Sequence, residues 1–493
     1  MTSLVPLPLA LALLGAALNV IAVRSRATQR LISLVTLSAI TAVSVVLLVE
    51  VDRNGPLVAR GGDWSASVGI AFVADHLSAS LLAVATVVLL IVLVYAIGQN
   101  ARDQASPWYH PAYMALAGGI ANAFLAGDLF NLFVAFELML MASYVLMTLH
   151  GTDAQIRSGT TYVVLNVIES MLLLLAVGLI FAATGTVNMA ELAQRSGDLP
   201  DGVRIGLNML LLIAFGLKAA VFPLFFWLPD SYPAAPGPVT AVFAGLLTKI
   251  GVYAIIRTET IMFPGGNGTL LIVIGSLTMI IGVFGAIAQA DMKRILSFHI
   301  VSQIGYMVAG VGIGTSAALA ATIFFVIHQI PIKTSLFLVE GIVEGSTGTS
   351  RLDDVGGMAR RSGWLAALFM LPALSLAGLP PFSGFVGKLG LVDAGVQAEQ
   401  WGLIAVALVG SLFTLVSMVK IWTGVFWGTV MPEPPAGDRG VLHGHRIEAG
   451  ATFACVALGL ALAVFAGPLY DLCRSAAEGT LDVSRYVEAV LGS

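Results

Sequence analysis

Long uninterrupted apolar runs constrain this chain more than any other feature of its sequence. Many reach about 18 or more residues, the length that an α-helix needs to cross a hydrocarbon core roughly 30 Å thick. Of the 493 residues, 58% are hydrophobic and 11% are charged, whereas an average soluble domain is about 25% charged. Because backbone polar groups in lipid must be paired within the segment, we predict an all-α polytopic membrane protein.

The apolar runs divide the chain into about fourteen predicted spans. The first run has no basic segment before it and no clear cleavage site after it, so we expect a span rather than a signal peptide. Prolines interrupt spans seven and twelve, which predicts broken helices there. The spans lie near 4–23, 31–50, 78–98, 111–127, 129–149, 161–184, 206–227, 238–258, 267–289, 295–313, 316–343, 363–390, 401–427 and 448–470.

Lysine and arginine are placed differently along these runs. Almost all of the 18 arginines lie in loops or at span ends, whereas most of the 6 lysines lie inside spans. A buried lysine can lose its proton, with a pKa as low as about 5–6, whereas arginine stays charged. The pattern favours titratable groups inside the membrane, and structural ion pairs are the alternative. Lys420 is near a span end and Lys293 is predicted in a loop; the lysines within apolar runs are Lys218, Lys249, Lys333 and Lys388.

The stretch 211–253 carries two such lysines on consecutive spans joined by a proline-rich turn. At about 1.5 Å of rise per residue, Lys249 lies roughly 16 Å along a helix that starts at Pro238, near mid-membrane. Lys218 is similarly deep, and Pro223 interrupts its span. A lysine at that depth costs on the order of 2.5–3.5 kcal/mol, so it is expected to face a polar interior. Two such lysines indicate a path for protons or cations.

Carboxylates and a histidine are predicted at similar depths on neighbouring spans. Glu137 lies roughly 13 Å into span five and is the expected partner of Lys218. Glu169 on span six is either a second carboxylate on the path or a residue satisfied by a neighbouring helix. On span eleven His328 precedes Lys333, and histidine relays protons near neutral pH. The carboxylates further along that span are Glu340 and Glu344.

Spans four to eight and spans nine to thirteen show the same order of features. Each group contains one span that is broken by proline and carries a lysine, Lys218 in the first group and Lys388 in the second. Tandem units with an odd number of spans lie in opposite orientations, which is the inverted-repeat architecture of transporters. We therefore divide the chain into spans one to three (1–110), a first five-helix repeat (111–260), a second five-helix repeat (261–430), and the last span with its tail (431–493).

Basic residues are concentrated in alternate loops. The positive-inside rule predicts that these loops are cytoplasmic and that both termini lie outside. The tail from 470 to 493 is mildly amphipathic and is expected on the outer surface. The basic residues on the predicted cytoplasmic side are Arg24, Arg26, Arg30, Arg157, Lys293, Arg294, Arg351, Arg360, Arg361, Arg439 and Arg446.

Five segments carry a family resemblance. They are FNLFVAFELM, FGLKAAVFPLFFWLPDSYPAAPGPVTAVFAGLLTKIGVY, DMKRILSFHIVSQIGYM, HQIPIKTSLFLVEG and GLPPFSGFVGK. The chain resembles, over nearly its whole length, the antiporter-like subunits of Mrp cation/proton antiporters and of respiratory complex I. Its length, its number of spans and a lysine rather than a glutamate at 388 favour the Mrp group. A proton-pumping membrane subunit of NADH-quinone oxidoreductase (NuoN-like) is the alternative.

The resemblance implies a secondary transporter subunit rather than an enzyme, exchanging Na⁺ for H⁺ in a bacterial cell membrane. It implies a hetero-oligomer with sister Mrp subunits, MrpA-like and MrpC-like neighbours among them. The sequence shows no nucleotide-binding loop and no cofactor, metal or nucleic-acid motif. A scaffold whose lysines only hold helices together is the alternative from another class. The implied proton-transfer residues are Glu137, Lys218, Lys249, His328, Lys333 and Lys388, with Glu169 and Glu340 as auxiliaries.

Overall fold

Helices make up most of the described chain, which in this computed structural model comprises residues 2–62, 64–99, 106–428 and 444–492. Within those ranges twelve helices are long and apolar enough to cross a membrane, so the prediction of an all-α polytopic membrane protein is confirmed. The helices of the first part are α1 (Thr2–Ile21), α2 (Arg26–Asn54), α3 (His76–Gly98), α4 (Tyr109–Leu125), α5 (Leu129–Met147), α6 (Asp153–Thr184), α7 (Met189–Arg195), α8 (Asp201–Ala219), α9 (Leu228–Ser231) and α10 (Gly237–Met262).

The second part of the chain continues the bundle. An antiparallel hairpin of β1 (Leu57–Arg60) and β2 (Ala71–Ala74), between α2 and α3, forms the sheet of the described chain. The remaining helices are α11 (Gly268–Ala288), α12 (Met292–Ile313), α13 (Ser316–Thr347), α14 (Met358–Arg361), α15 (Gly363–Ala377), α16 (Ser383–Gln397), α17 (Trp401–Trp427), α18 (Arg446–Val464), α19 (Ala466–Leu481) and α20 (Val483–Leu491).

Two of the predicted spans are broken, as the prolines indicated. Span seven stops at the end of α8, where Ala220 adopts a left-handed conformation with φ 60°. Span twelve is divided into α15 and α16, which are 15 residues each. Both breaks contain a cis X-Pro bond, Phe222–Pro223 and Pro380–Pro381. The predicted total of about fourteen spans stays a prediction, because α4, α15 and α16 are shorter than the twelve membrane-length helices.

The centre of the bundle is formed by three helices that carry many polar side chains. The most apolar windows of α10, α12 and α13 are 100%, 94% and 100% buried inside the protein, whereas those of α1 and α2 are 28% buried. Outer helices therefore supply most of the lipid-facing surface. Polar residues on the central helices face other helices, which is the arrangement that an ionisable residue in a membrane requires.

Two parts of the bundle repeat the same local structure at a constant separation of 163 residues. In each part an aspartate caps one helix, α5 or α12, and a threonine caps the next helix, α6 or α13. The threonine-capped helix is 32 residues long in both parts and ends at a glycine in the left-handed conformation. An isolated bridge then joins the first cap to the segment after the long helix. The matching residues are Asp128 and Asp291, Thr152 and Thr315, Gly185 and Gly348, and Asn188 and Arg351.

One expectation about a surface segment is wrong. Lys293 lies in the first turn of α12 rather than in a loop, and it is 4% exposed. The tail forms α19 and α20, which pack one face against the bundle with Cys473 and Tyr486 buried, and its place on the outer surface stays a prediction. The side chain of Arg60 donates to the Val490 carbonyl at 2.6 Å, which ties the tail to the β hairpin. Arg439, a predicted cytoplasmic arginine, lies outside the described residues.

Candidate functional site

Lys218 lies in the last turn of α8 and forms a buried ion pair. Its Nζ is 3.5 Å from Glu169 Oε2 on α6 and donates to Asn166 Oδ1 at 3.5 Å. The centre of the Phe136 ring lies 5.5 Å from the ammonium. Because a helix ends here, its C-terminal dipole adds negative potential that also favours a cation. The carboxylate of Glu169 on α6 and the terminus of α8 therefore both stabilise this lysine.

Lys218 does not form its ion pair with Glu137, the partner expected from the sequence. Glu137 is half-buried on α5, and its Oε1 has no hydrogen-bond partner within the described ranges. It lies close enough to Lys218 for charge interaction, but the carboxylate in the ion pair is Glu169. Residue spacing gives the depth of a side chain along a helix, whereas the packing of α5, α6 and α8 decides which side chains meet. Glu169 is therefore paired with a lysine on a neighbouring helix, and its place on the path stays a prediction.

Lys249 occupies the middle of α10 between two wider turns. Residues 243–247 and 258–262 form π-turns, which leave carbonyl groups outside the regular i→i−4 pattern. The Lys249 Nζ donates to the carbonyl of Ala244 at 2.5 Å and is 1% exposed. No ion pair with a carboxylate is found for Lys249 in the part of the chain that the structure describes. A lysine held by one backbone carbonyl can gain or lose a proton without breaking an ion pair.

His328 and Lys333 lie in the middle of α13, on either side of Pro331. The His328 Nδ1 is 2.8 Å from Ser383 Oγ on α16, and its Nε2 has no partner among the described residues. The Lys333 Nζ is fully buried and also lacks a hydrogen-bond partner there. Lys333 lies close enough to Lys249 and Lys388 for charge interaction. It therefore connects the lysine of α10 with the lysine of α16.

Lys388 lies on α16, the second half of span twelve, and its side chain extends to the break between the two halves. Its Nζ donates to the carbonyls of Leu376 and Ala377 at 3.1 and 3.2 Å, at the C-terminus of α15. The ammonium also lies 4.9 Å from the centre of the Tyr306 ring. Lys218 and Lys388 thus occupy comparable places, since each amine lies at the C-terminal end of a half-helix.

Further polar side chains on α12 and α13 line the same region and were not singled out in the sequence. His299 Nε2 is 2.5 Å from Ser417 Oγ and lies within charge-interaction range of Lys333 and Lys388. Gln329 donates to Gln303 at 3.4 Å. Their signal in the sequence is a buried polar residue in an otherwise apolar run, the same signal that identified His328.

The site is a row of buried amines that runs through the centre of the bundle. In order, the row comprises Lys218 with Glu169, then Lys249, Lys333 and Lys388. Two charges about 8 Å apart interact by roughly 2 kcal/mol at an effective dielectric constant of 20, and charge interaction links Lys333 with Lys249 and with Lys388. Within the described ranges, no group of three or more His, Cys, Asp or Glu side chains is placed to hold a metal ion. The geometry suits the movement of protons or monovalent cations.

A helical bundle with such a row at its centre defines the class of polytopic membrane proteins that move ions. Residues 126–414 match the family model described as NADH:quinone oxidoreductase/Mrp antiporter, transmembrane. The chain belongs to this family, and the resemblance noted in its sequence is confirmed.

Curated relatives of similar length resemble this chain in sequence, and chains of solved structures resemble it in fold. The chain is 40% identical over 495 residues to the D subunit of the Na⁺/H⁺ antiporter of Alkalihalophilus pseudofirmus and 34% identical over 499 residues to that of Bacillus subtilis, and each match covers 100% of both chains. A chain of the Mrp complex from a Dietzia species superposes with a TM-score of 0.92 at 34% identity, covering 100% of this chain and 99% of that one. A chain of respiratory complex I from Thermus thermophilus superposes with a TM-score of 0.81 at 23% identity, covering 97% of this chain and 99% of that one, and shares the fold.

Proposed function

We propose that this chain is the proton-conducting, D-type subunit of a multisubunit Na⁺/H⁺ antiporter. The observation that carries the proposal is the row of four buried lysines, two of them on the central helices α10 and α13. Of these, Lys333 has no hydrogen-bond partner in the described ranges. The full-length relatives, both named as D subunits of Na⁺/H⁺ antiporters, support the assignment. The chain is then a secondary transporter subunit rather than an enzyme, and it works in a hetero-oligomer with MrpA-like and MrpC-like neighbours.

Each ionisable residue has a role in this proposal. The Glu169–Lys218 pair, assisted by the charge of Glu137, holds or releases a proton at one end of the row. Lys249 and Lys333 exchange it in the centre, because each amine is stabilised by few partners and feels the charge of its neighbours. His328 relays between α13 and α16, and Lys388 holds the proton at the second helix break. Glu340 serves as an auxiliary carboxylate near the end of α13.

The alternative assignment to NADH-quinone oxidoreductase has weaker support. Its solved counterpart is 23% identical and shares the fold alone, whereas the antiporter relatives are 34–40% identical over the full chain. Copurification with flavin, iron–sulfur centres and quinone reductase activity would favour that alternative.

The two halves and the orientation belong to the same proposal. We infer inverted repeats over 111–260 and 261–430, flanked by 1–110 and 431–493, with both termini outside a bacterial cell membrane. The constant separation of 163 residues between matching caps and bridges supports the repeats. The concentration of basic residues in alternate loops supports the orientation.

Lys249→Ala tests the proposed function. In the assembled complex, everted membrane vesicles are energised, and the collapse of the pH gradient after Na⁺ addition is followed with a fluorescent amine. We expect exchange to be lost while the subunits still copurify. Lys420→Ala is the matched control, because Lys420 only caps the end of α11 by donating to the Ile287 and Gln289 carbonyls. Wild-type exchange in Lys249→Ala contradicts the proposal, and activity that falls only in proportion to assembled complex supports a scaffold.

A further inference from the structure

A second cluster of charged side chains lies at one end of α13, away from the central row. The Nζ of Lys293, on α12, donates to Glu344 Oε2 at 2.7 Å. Glu340, one turn earlier on α13, is fully buried and interacts with the same ammonium through its charge. We call Lys293, Glu340 and Glu344 the Lys293 triad. It joins α12 to α13 near the surface.

The triad has one positive and two negative groups when all three are ionised. Its net charge is then −1, and a buried excess charge is costly unless a proton or another cation neutralises it. Binding one proton to a carboxylate makes the triad neutral while the Lys293 ion pair survives. The composition of the triad therefore suits a site that gains and loses a single proton.

The other charged groups at this end of the bundle have partners of their own. Asp291 interacts with Lys293 through its charge, but it caps α12 and accepts a hydrogen bond from Ser350. Arg294 pairs with Asp230 at 2.9 Å. His445, which directly precedes α18 and lies beside Gly345, pairs with Glu448 in the first turn of that helix at 2.9 Å.

Three further elements bring charged or titratable groups to this end. On α3, the Tyr95 hydroxyl donates to the Leu338 carbonyl at 3.0 Å. Arg351 pairs with Asp354 at 3.3 Å before α14, and Arg360 and Arg361 end that helix. Lys293 is the basic residue whose charge interacts with both triad carboxylates, Glu340 and Glu344.

The triad and the central row share one face of α13. Glu344, Glu340 and Lys333 are separated by four and seven residues, so they lie on the same side of the helix. Exposure falls along this line, from 28% for the side chain of Glu344 to 0% for Glu340 and Lys333. About 10 Å along the helix axis separates Glu340 from Lys333. The line leads from the surface of the bundle to the central row at Lys333.

We propose that the Lys293 triad is the proton-loading site of this subunit at the membrane face where α12 begins. Glu344 exchanges a proton with water, and Glu340 receives it while Lys293 stabilises whichever carboxylate is ionised. The O–H bond of Glu340 then breaks and an N–H bond forms at neutral Lys333, through water, leaving a Glu340 carboxylate and a Lys333 ammonium. This inference deepens the proposed function and rests on it.

Carboxamide variants test the proposal in the purified complex reconstituted into liposomes, with the pH set separately on each side. We expect Glu340→Gln to lower Na⁺-driven proton flux at least about tenfold, because the buried carrier is lost. For Glu344→Gln we expect the pH dependence of the proton flux to shift by about one unit to lower pH on the side where α12 begins. The maximal flux is recovered at that lower pH. The pH dependence on the other side is expected to be unchanged. Asp354→Asn, an exposed carboxylate on the same face, is the matched control and keeps both profiles.

The outcomes separate this proposal from the one that it rests on. Wild-type flux and pH profiles in Glu340→Gln and Glu344→Gln, together with an inactive Lys249→Ala, overturn the loading site and leave the proton-conducting row in place. An active Lys249→Ala overturns the row itself. If Glu340→Gln fails to assemble, Glu340→Asp retains a titratable group and is expected to recover measurable flux. A lower melting temperature without any one-sided pH shift in Glu344→Gln would show a structural clamp and reject the proposal.

Discussion

At the scale of single residues, the buried lysines are held by partners of three different kinds. Lys218 has a carboxylate, Lys249 has one backbone carbonyl, and Lys388 has two carbonyls at a helix end. Helix C-termini carry partial negative charge, so they favour a cation without fixing it as strongly as a carboxylate does. The partners of the amines in the row therefore include backbone carbonyls as well as a carboxylate.

Glu169→Gln tests the ion pair at the start of the row. Breaking a buried pair by removing one partner typically costs about 3–5 kcal/mol. We therefore expect Glu169→Gln to lower the melting temperature of the purified complex and to reduce Na⁺/H⁺ exchange at least about tenfold. Glu137→Gln is the matched carboxylate control, since Glu137 is half-buried and outside the direct ion pair; its effect on stability is expected to be smaller. Equal stability losses in the two variants would contradict this assignment of the partner.

A second ion pair, between Asp75 and Arg257, is predicted to stabilise the fold over a wide pH range. Burial disfavours the charge of Asp75, but Arg257, 2.6 Å away, holds the pKa of Asp75 below its usual value. A depressed carboxyl pKa contributes stability above the unfolded value of about 4, which is lost as the pH falls through the folded value. We expect Asp75→Asn to lower the melting temperature equally at pH about 6 and 9, with the difference from wild type shrinking only below pH about 4. A difference that already shrinks between pH about 9 and 6 contradicts the pairing.

At the scale of helices, close contacts position the breaks and the lysines together. α10 passes close to α8 at Gly251, where a Cβ would lie 2.6 Å from the backbone nitrogen of Ala219. Ala219 directly follows Lys218, so the contact sets where the last turn of α8 and its amine lie. This approach requires a residue without a side chain at position 251.

Gly251→Ala is therefore predicted to disturb the Lys218 site through the backbone. Overpacking typically costs about 1–3 kcal/mol, and here the displaced element carries the ion pair. We expect lower melting temperature and lower exchange activity in vesicles. Gly178→Ala in α6 is the matched control, because a Cβ there meets nothing within 4 Å and alanine favours the helix. Unchanged activity in Gly251→Ala would show that this contact does not position the lysine.

Sequence patterns predicted the helices and their breaks better than the contacts between them. Apolar length located most spans, and Pro223 and Pro381 marked the two interruptions, because these signals are local. The partner of Lys218 was missed, since depth along α5 and α6 is readable from spacing but the rotation of each helix is not. Lys293 was misplaced in a loop because the cap at Asp291 starts α12 just before it. The π-turns beside Lys249 have no sequence signature that we recognised.

At the scale of the whole molecule, the repeated caps support the proposed duplication of one structural unit. Helices of equal length, 32 residues, follow Thr152 and Thr315, and each ends at a left-handed glycine. Between those two positions the chain runs through α6, α8, α10, α11 and α12, an odd number of membrane-length helices. Equivalent points of the two units are thus expected on opposite faces of the membrane.

Single cysteines at equivalent positions test this inversion. We expect Asp153→Cys and Ser316→Cys, each placed one residue after its cap, to react with an impermeant maleimide from opposite sides of intact and everted vesicles. The native Cys455 and Cys473 are buried, so they supply little background. Labelling of both positions from the same side would contradict the inverted repeat.

The mid-length position of Lys249 and Lys333 in their helices has a consequence for energy conversion. A proton that hops between amines at one depth moves parallel to the lipid surface and crosses almost none of the electrical field. The membrane voltage, worth about 2.3 kcal/mol per charge per 100 mV, then does its work only on the vertical steps to and from the row. A protein built in this way can transmit charge sideways to a neighbour while remaining nearly indifferent to voltage along that route.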